Sequence, residues 1–303
     1  MRSDWEMALL TFRALTPLHV GSGTSVSYVD LPIARERHTH FPVIPGSGIK
    51  GVFRDIANRL NKCNIHRIFG PEPGSADLKA SAIAFTDAKI LLYPVRSLRG
   101  TFALITSPMV LHRFSEELNS FGSNVSLEGF KEISLNEDEV IVMDDSPLKV
   151  SRTQSGKKVV LEEFVFEVKS DEGLDGTKEA IKQITGLDED TLKRIAIVSD
   201  NVFTDFVRYA TEVRTRIRID QSTGTVSQGA LFSMEMVPAE AIFYSFVFGR
   251  NRNENEGEEA IRCIRDILKS SNVLQLGGDE TIGMGFVKVG IHLKEGKDGN
   301  YES

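Results

Sequence analysis

The stretch MALLTFRAL (Met7–Leu15) constrains the fold more than any other. Its apolar side chains fall on both faces of an extended segment, and a strand buried on both faces belongs inside a sheet. Cover for such a sheet is supplied by SGIKGVFRDIANRL, where Ile49, Val52, Phe53, Ile56, Ala57 and Leu60 recur at helical spacing as one apolar stripe. Ser47 is a candidate N-cap for this helix. Lys50, Arg54, Asn58 and Arg59 fall outside the stripe and can face solvent or a partner.

The remaining elements extend this pattern. SAIAFTDAKILLYPV and TFALITSP read as strands separated by RSLRG, and MVLHRFSEELNSF as a helix. Residues 123–200 read as an insertion, with a hairpin in LKVSRTQSGKKVVLEEFVFEV turning at Ser-Gly. Helical pieces are expected there around TKEAIKQI and DEDTLKRIAIV. DNVFTDFVRYA suits a helix capped by Asp200. TEVRTRIRID alternates and QSTGTVSQGALFSMEMV returns, giving a long hairpin over 211–236. AIFYSFVFG, GEEAIRCIRDILKSS and GFVKVGIHL then read as strand, helix and strand. The main elements run β-α-β-β and later β-α-β, the order of an α+β, ferredoxin-like (RRM-like) core in one elaborated domain over 1–303.

No run approaches the roughly 18–20 apolar residues of a membrane helix, and the N-terminus lacks a secretory signal. Cys63 and Cys263 are far apart and outside any CxxC, so neither a disulfide framework nor a zinc site is expected and a reducing cytoplasm is the default. The net charge of -7 argues against a surface that coats nucleic acid everywhere. A local basic track remains open, because acids gather in SLNEDE, TGLDEDT and NENEGEE while the bases lie elsewhere.

Three glycine clusters could carry chemistry. In a chain that is 26% charged, Ala14–Val29 holds no Asp, Glu, Lys or Arg, and then Asp30 arrives between Val29 and Leu31. That segment includes Gly21, Ser22 and Gly23, and reads as a mobile uncharged loop presenting one acid. PGSGIKG (Pro45–Gly51) opens the amphipathic helix, where free backbone N–H groups and Lys50 could receive a phosphate. An ordinary loop-to-helix turn explains it equally well, and the Walker A spacing is absent. In LQLGGDETIGMGF, Gly277, Gly278, Gly283 and Gly285 bracket Asp279 and Glu280. Such a loop can hug a polymer backbone or simply connect two elements, and it lacks the context of a Rossmann site. EVRTRIRID puts Arg214, Arg216 and Arg218 on one strand face, suited either to a phosphate chain or to neutralisation by Glu212 and Asp220. His19 stands eleven residues before Asp30, as a structural or a catalytic imidazole. No HExxH, GxSxG or Cys–His pattern supports hydrolysis by a side-chain nucleophile.

Taken in order, LTPLHVGSGTSVSYVDLPIARERHTHFPVIPGSGIKGVFRD, YATEVRTRIRID…TGTV…GALF and LQLGGDETIGMGF resemble the RAMP superfamily of CRISPR proteins. Within it they resemble the repeating backbone subunits of type III-B Cmr effectors, over about Ala14–Val289. The resemblance implies a ferredoxin-like palm and a β-hairpin thumb that displaces a base pair at regular intervals. It implies a helical filament of copies of this chain along a CRISPR RNA guide, joined by a large polymerase-like subunit and a small helical subunit, with no membrane partner. It further implies cutting of complementary target RNA once per protomer, with a divalent metal (Mg²⁺, or Mn²⁺ in its place) held by an acid that matches Asp30.

His19 and Glu235 match further catalytic positions of the family. Gly21, Ser22, Gly23, Ser47, Lys50, Arg54, the three arginines and the later glycines match RNA-contacting segments. Met236 stands where relatives often have an aromatic, and Met284 where they often have a base. RNA carries its own nucleophile in the 2′-OH, which fits a chain without a catalytic serine or cysteine. Two other readings stay open at this level: a non-catalytic RNA-coating scaffold, and a metabolic enzyme with a phosphate-binding glycine loop.

Overall fold

Strand β1 (Trp5–Ala14) lies between β13 (Ile242–Arg250) and β15 (Phe286–Leu293), antiparallel to both. Leu9, Leu10 and Phe12 are fully buried, each contributing roughly 1.5–3 kcal/mol of apolar burial. The computed structural model describes residues 5–25, 28–71, 80–123, 125, 133–153, 156–169, 174–219, 222, 224, 226–251 and 255–293.

After β1 come β2 (Val43–Ile44), α1 (Gly46–Leu60), α2 (Ile65–Ile68), β3 (Ile83–Phe85), β4 (Ala88–Arg96), β5 (Phe102–Thr106) and α3 (Pro108–Phe121). Next are β6 (Glu139–Val142), β7 (Lys149–Thr153), β8 (Gly156–Leu161), β9 (Phe164–Lys169), α4 (Leu174–Thr185), α5 (Glu189–Leu192), β10 (Ile195–Val198) and α6 (Asp200–Tyr209). A hairpin of β11 (Glu212–Ile219) and β12 (Val226–Met236) precedes β13, α7 (Glu256–Ser270), β14 (Val273–Gln275) and β15.

Among the described residues one mixed sheet runs β14-β15-β1-β13-β4-β5-β10-β6-β9-β8-β7, with β2 on β4 and β3 on β13. Only β10–β5 and β6–β9 are parallel pairs within it. The hairpin β11–β12 forms a sheet of its own. α7 packs on β1, β13 and β15, and α1 on β3 and α7. At the β13–α7 contact Gly249 meets Gly257 so closely that a Cβ on Gly249 would lie 2.2 Å from the Gly257 carbonyl oxygen.

Several local expectations are corrected. IAIV is not the end of a helix but strand β10, wholly buried and central in the sheet. Its β-branched run suits a pleated core better than a helix. SAIAFTDAKILLYPV divides into β3 and β4 at Thr86–Asp87. Pro45, not Ser47, precedes α1, and no side chain caps that end. Ser199 caps α6, with its hydroxyl accepting from the Val202 N–H, while Asp200 is the first helical residue and accepts instead from the Met109 N–H.

Cys63 and Cys263 are joined in a disulfide with Cα atoms 5.8 Å apart. The pairing escapes spacing rules because it spans 200 residues and arises from helix packing: Cys63 follows α1, Cys263 lies within α7, and those two helices touch. The expected Ser-Gly turn reaches Gln154 and Ser155, which lie outside the described residues, while β7 and β8 on either side pair antiparallel. Among the described residues no helix is long and apolar enough to cross a membrane.

Candidate active site

Four distant segments meet at the base of the hairpin. Leu18 and Val237 exchange backbone hydrogen bonds of 2.9 Å, and Leu31 donates to the Ser233 carbonyl at 3.0 Å. The Glu235 N–H donates back to the Leu31 carbonyl at 3.0 Å, and the Gly278 N–H reaches the His19 carbonyl at 2.9 Å. The glycine-serine segment after His19 is therefore not loose. Ser22 donates from its N–H to the Pro32 carbonyl at 3.0 Å and Ala34 to the Val20 carbonyl at 2.7 Å, folding residues 20–25 against 30–34. Gly21, Ser22 and Gly23 remain exposed on that fold.

Asp30 is exposed at the edge of this ladder. Its Oδ2 accepts from the Ser233 N–H at 2.7 Å and from the Ser233 hydroxyl at 2.8 Å, while its own N–H donates to Ser233 Oγ at 3.0 Å. Those bonds, led by the Ser233 backbone N–H, hold the carboxyl below the usual carboxylate range. Oδ1 has no partner among the described residues. The group is thus a weak base and a steady anion with one oxygen free.

His19 is buried, with Nδ1 2.7 Å from the Glu235 carbonyl oxygen. A carbonyl only accepts, so Nδ1 is the donor, and in the tautomer this selects the lone pair sits on Nε2. Nε2 faces Gly21, where a Cβ would come within 2.8 Å of it. Glu235, expected as a second catalytic carboxylate, meets His19 through its backbone carbonyl, and its carboxylate is turned to Ile33 and Arg35. Its side chain is 3% exposed. Oε1 is taken by Arg35 Nη2 at 2.5 Å and Oε2 by the Ile33 N–H at 3.0 Å. Arg35 is fixed in turn by the carbonyls of His40 and Val207. Met236 is fully buried and offers no stacking surface.

The third glycine cluster backs the site instead of presenting amides to a phosphate. Gly277 has φ +86°, and a Cβ there would lie 2.4 Å from the His19 carbonyl oxygen. The N–H groups of Gly278, Gly283 and Gly285 go to the carbonyls of His19, Glu280 and Pro17, so these expected RNA donors are already spent. At the start of α1 the Gly46 N–H is taken by Asp87 Oδ1 at 2.8 Å and the Gly48 N–H by the Pro45 carbonyl. Ser47 is exposed beside them.

On the hairpin, Arg214 Nη2 pairs with Glu212 at 2.9 Å and Arg216 Nη1 with Asp279 Oδ1 at 2.9 Å. The side chain of Arg218, and all of Asp220, lie outside the described residues. Neutralisation of the arginine row thus comes from Glu212, as one reading had it, and from the glycine loop. Met284, standing where a base is often found, has its sulfur 4.0 Å from Arg214 Nη1, so the hairpin brings a cation to that spot. The opposite hairpin face is apolar and open, with Val213, Ile217, Ile219 and Leu231 each at least half exposed.

Lys50 and Arg54 form a separate patch on α1. Burial, and then the neighbouring Arg54, lower the Lys50 pKa. Neither residue pairs with a carboxylate among the described residues, and Arg54 reaches only the Pro71 carbonyl at 3.4 Å. The structure brings His19, Asp30, Glu235 and the Gly277–Gly278 turn together. It gives Lys50 and Arg54 no contact with them.

Spacing missed four residues: Ser233, Arg35 and Asp279, whose contacts are long-range, and Tyr28, an aromatic 77% exposed two positions before Asp30. Tyr28 had a visible signal, as a lone large ring in a run of small residues.

No cluster of three His, Cys, Asp or Glu is placed to cage a metal among the described residues. A single free carboxylate oxygen does fit Mg²⁺, which keeps several waters and shares its coordination with phosphates.

A model of the RAMP superfamily matches residues 11–288. The chain belongs to the RAMP superfamily. Within the superfamily, its curated relatives include the CRISPR system Cmr endoribonuclease Cmr4 of Pyrococcus furiosus, 40% identical over 93% of this chain and 94% of the relative. The CRISPR system CMR subunit Cmr4 of Saccharolobus solfataricus is 26% identical over 91% and 94%. Among solved RAMP structures, the crystal structure of oligomeric Cmr4 from Pyrococcus furiosus has a TM-score of 0.72 at 33% identity, covering 96% of this chain and 99% of that one. The cryo-EM structure of the type III-B Cmr-beta bound to cognate target RNA shares the fold, with a TM-score of 0.72 at 23% identity over 94% and 96%.

Proposed function

We propose that this chain is the repeating backbone subunit of a type III-B CRISPR effector, and that it cuts guide-paired target RNA. The observation that carries the reading is Asp30: exposed, held ionised, fixed by the hairpin through Ser233, and free at one oxygen among the described residues. The order β15-β1-β13-β4, antiparallel throughout and with α1 and α7 packed beside it, supports a ferredoxin-like palm. The β11–β12 hairpin is then the thumb, and its exposed Ile217, Ile219 and Leu231 suit a wedge between stacked bases. The Pyrococcus relative named an endoribonuclease, and the Cmr4 structure named oligomeric, support activity and self-association here as well. Partners on this reading are the guide, the target, further copies of this chain, a large polymerase-like subunit and a small helical one.

The target's 2′-OH attacks the adjacent phosphorus and loses its proton, a 2′,3′-cyclic phosphate forms as the P–O5′ bond breaks, and the leaving 5′-oxygen takes up a proton, so the chain splits without a protein nucleophile. Asp30 Oδ1 would hold a divalent cation, Mg²⁺ or Mn²⁺. When bound, that ion neutralises charge developing on the phosphate and eases loss of the 2′-OH proton. His19, with Nδ1–H committed to the Glu235 carbonyl, presents Nε2 as an acceptor beside Gly21 and orients the RNA or takes its proton. Glu235 and Arg35 hold the strand that carries Ser233. Lys50 and Arg54 contribute charge to the guide phosphates and read no sequence; base identity is left to guide–target pairing.

The test is to assemble the complex on a defined guide, add complementary RNA with Mg²⁺, and size the products. Cuts at a regular interval are expected. A target that is bound but stays intact would leave a scaffold, and a complex that binds no RNA would favour an enzyme of small phosphorylated substrates.

A further inference from the structure

We propose that Ser233 is a positioning residue for Asp30, and that the hairpin aligns the acid through it. This rests on the reading of Asp30 as the cutting acid and names what makes that acid competent. Asp30 and Ser233 are 203 residues apart, yet three hydrogen bonds of 2.7–3.0 Å join them. The Ser233 hydroxyl closes a ring, accepting from the Asp30 N–H and donating to Asp30 Oδ2, while its own backbone N–H binds the same Oδ2. An exposed aspartate otherwise samples several rotamers, and each must be frozen out before RNA is cut. Here the freezing is done in advance, with Oδ2 bound to the hairpin and Oδ1 left without a partner among the described residues.

The location of Ser233 matters as much as its chemistry. It lies on β12, opposite Thr215 of β11, in the two-stranded sheet and not in the large one. Among the described residues no other side chain bonds the Asp30 carboxylate. Arg216 ties the same hairpin to Asp279, and Gly278, just before Asp279, bonds the His19 carbonyl. Asp30 and His19 are therefore both referred to the hairpin, one through Ser233 and one through the Glu235 carbonyl. Seating RNA against the hairpin and aligning the acid become a single event.

Three variants in the assembled complex test this. Ser233→Thr keeps the hydroxyl, Ser233→Val has the shape of threonine without it, and Ser233→Ala removes it with the least bulk. For Val and Ala the single-turnover cutting rate at saturating target should fall about 10–100-fold, the range for losing a group that orients a catalytic ligand. The target concentration at half-maximal rate should stay unchanged, and Ser233→Thr should recover most of the rate. In the free chain, the carboxyl carbon resonance of Asp30 should move in the Val and Ala variants and hold in Thr, a readout independent of cutting. Wild-type cutting by Ser233→Val, or equal loss in Val and Thr, overturns the proposal. Asp30→Asn is run beside them: normal cutting by that variant removes the reading of Asp30 itself, whereas a dead Asp30→Asn with an active Ser233→Val removes only the role of Ser233.

Discussion

The corner around Asp30 and the start of α1 are written in similar residues, small ones beside a charge, and they fold to opposite ends. At the corner nearly every polar group is committed: Asp30 Oδ2 to Ser233, His19 to the Glu235 carbonyl, Glu235 to Arg35, and Gly278 to His19. At the start of α1 the Gly46, Gly48 and Ile49 N–H groups are also spent, but Lys50 and Arg54 have no carboxylate partner among the described residues, and burial makes the Lys50 charge costly. A neighbouring anion would relieve that cost. One region is a finished piece of geometry in which, among the described residues, Asp30 Oδ1 and His19 Nε2 are left over, and the other is unfinished in charge. On the proposed reading, chemistry belongs to the first and adhesion to the second.

The contrast can be attacked from either side. The largest effect is expected from Asp30→Ala, which should lower target cutting by at least about 100-fold, the scale for losing a preorganised electrostatic group. Guide loading and target binding, read by gel shift, should persist, and a variant that cuts normally would dissolve the distinction. Next comes Glu235→Ala. It leaves the guanidinium of Arg35 without its acid in a mostly buried site, and breaking such a pair costs roughly 3–5 kcal/mol. The thermal midpoint of the free chain should drop clearly, with Glu235→Gln intermediate; a large loss of cutting in Gln with no loss of stability would return Glu235 to the chemistry. The smallest effect belongs to Lys50→Ala. Guide affinity should weaken alike for all guide sequences, and the salt dependence should lose about 0.7 in log–log slope for the one phosphate contact removed. An unchanged slope would take the guide away from α1.

Much of this was legible in the residues and some was not, for reasons that can be named. β1, α1, α7 and the closing strand follow from periodicity, because each buries one face or both against the same core, and the long hairpin follows from strand alternation on either side of a turn. Asp30 stood out through the absence of charge before it, and the order of the three glycine clusters was enough to place the superfamily. What failed was mostly long-range. Ser233 lies far from Asp30 in the chain, Asp279 is the unexpected partner of Arg216, and Cys63 finds Cys263 only because two helices pack together. Helical spacing also misread IAIV, since a run of four apolar residues fits a helix end or a buried strand equally until its neighbours are known. The glycines misled in a different way. A glycine that exposes an amide and a glycine that lets two backbones touch look the same in a sequence.

That last distinction sets which letters of this chain are free to drift. An alanine at Gly277 or Gly285 would press its methyl group to 2.4 Å from the His19 carbonyl oxygen or 2.0 Å from that of Leu276, so a lineage that changes either must move the backbone packed against His19 or Leu276. Gly48 and Gly51 have nothing within 4 Å of where a methyl would stand. They can be exchanged at little cost, and alanine there would even favour the helix. Sister sequences should therefore differ at 48 and 51 long before they differ at 277 and 285, although all four positions begin as the same residue.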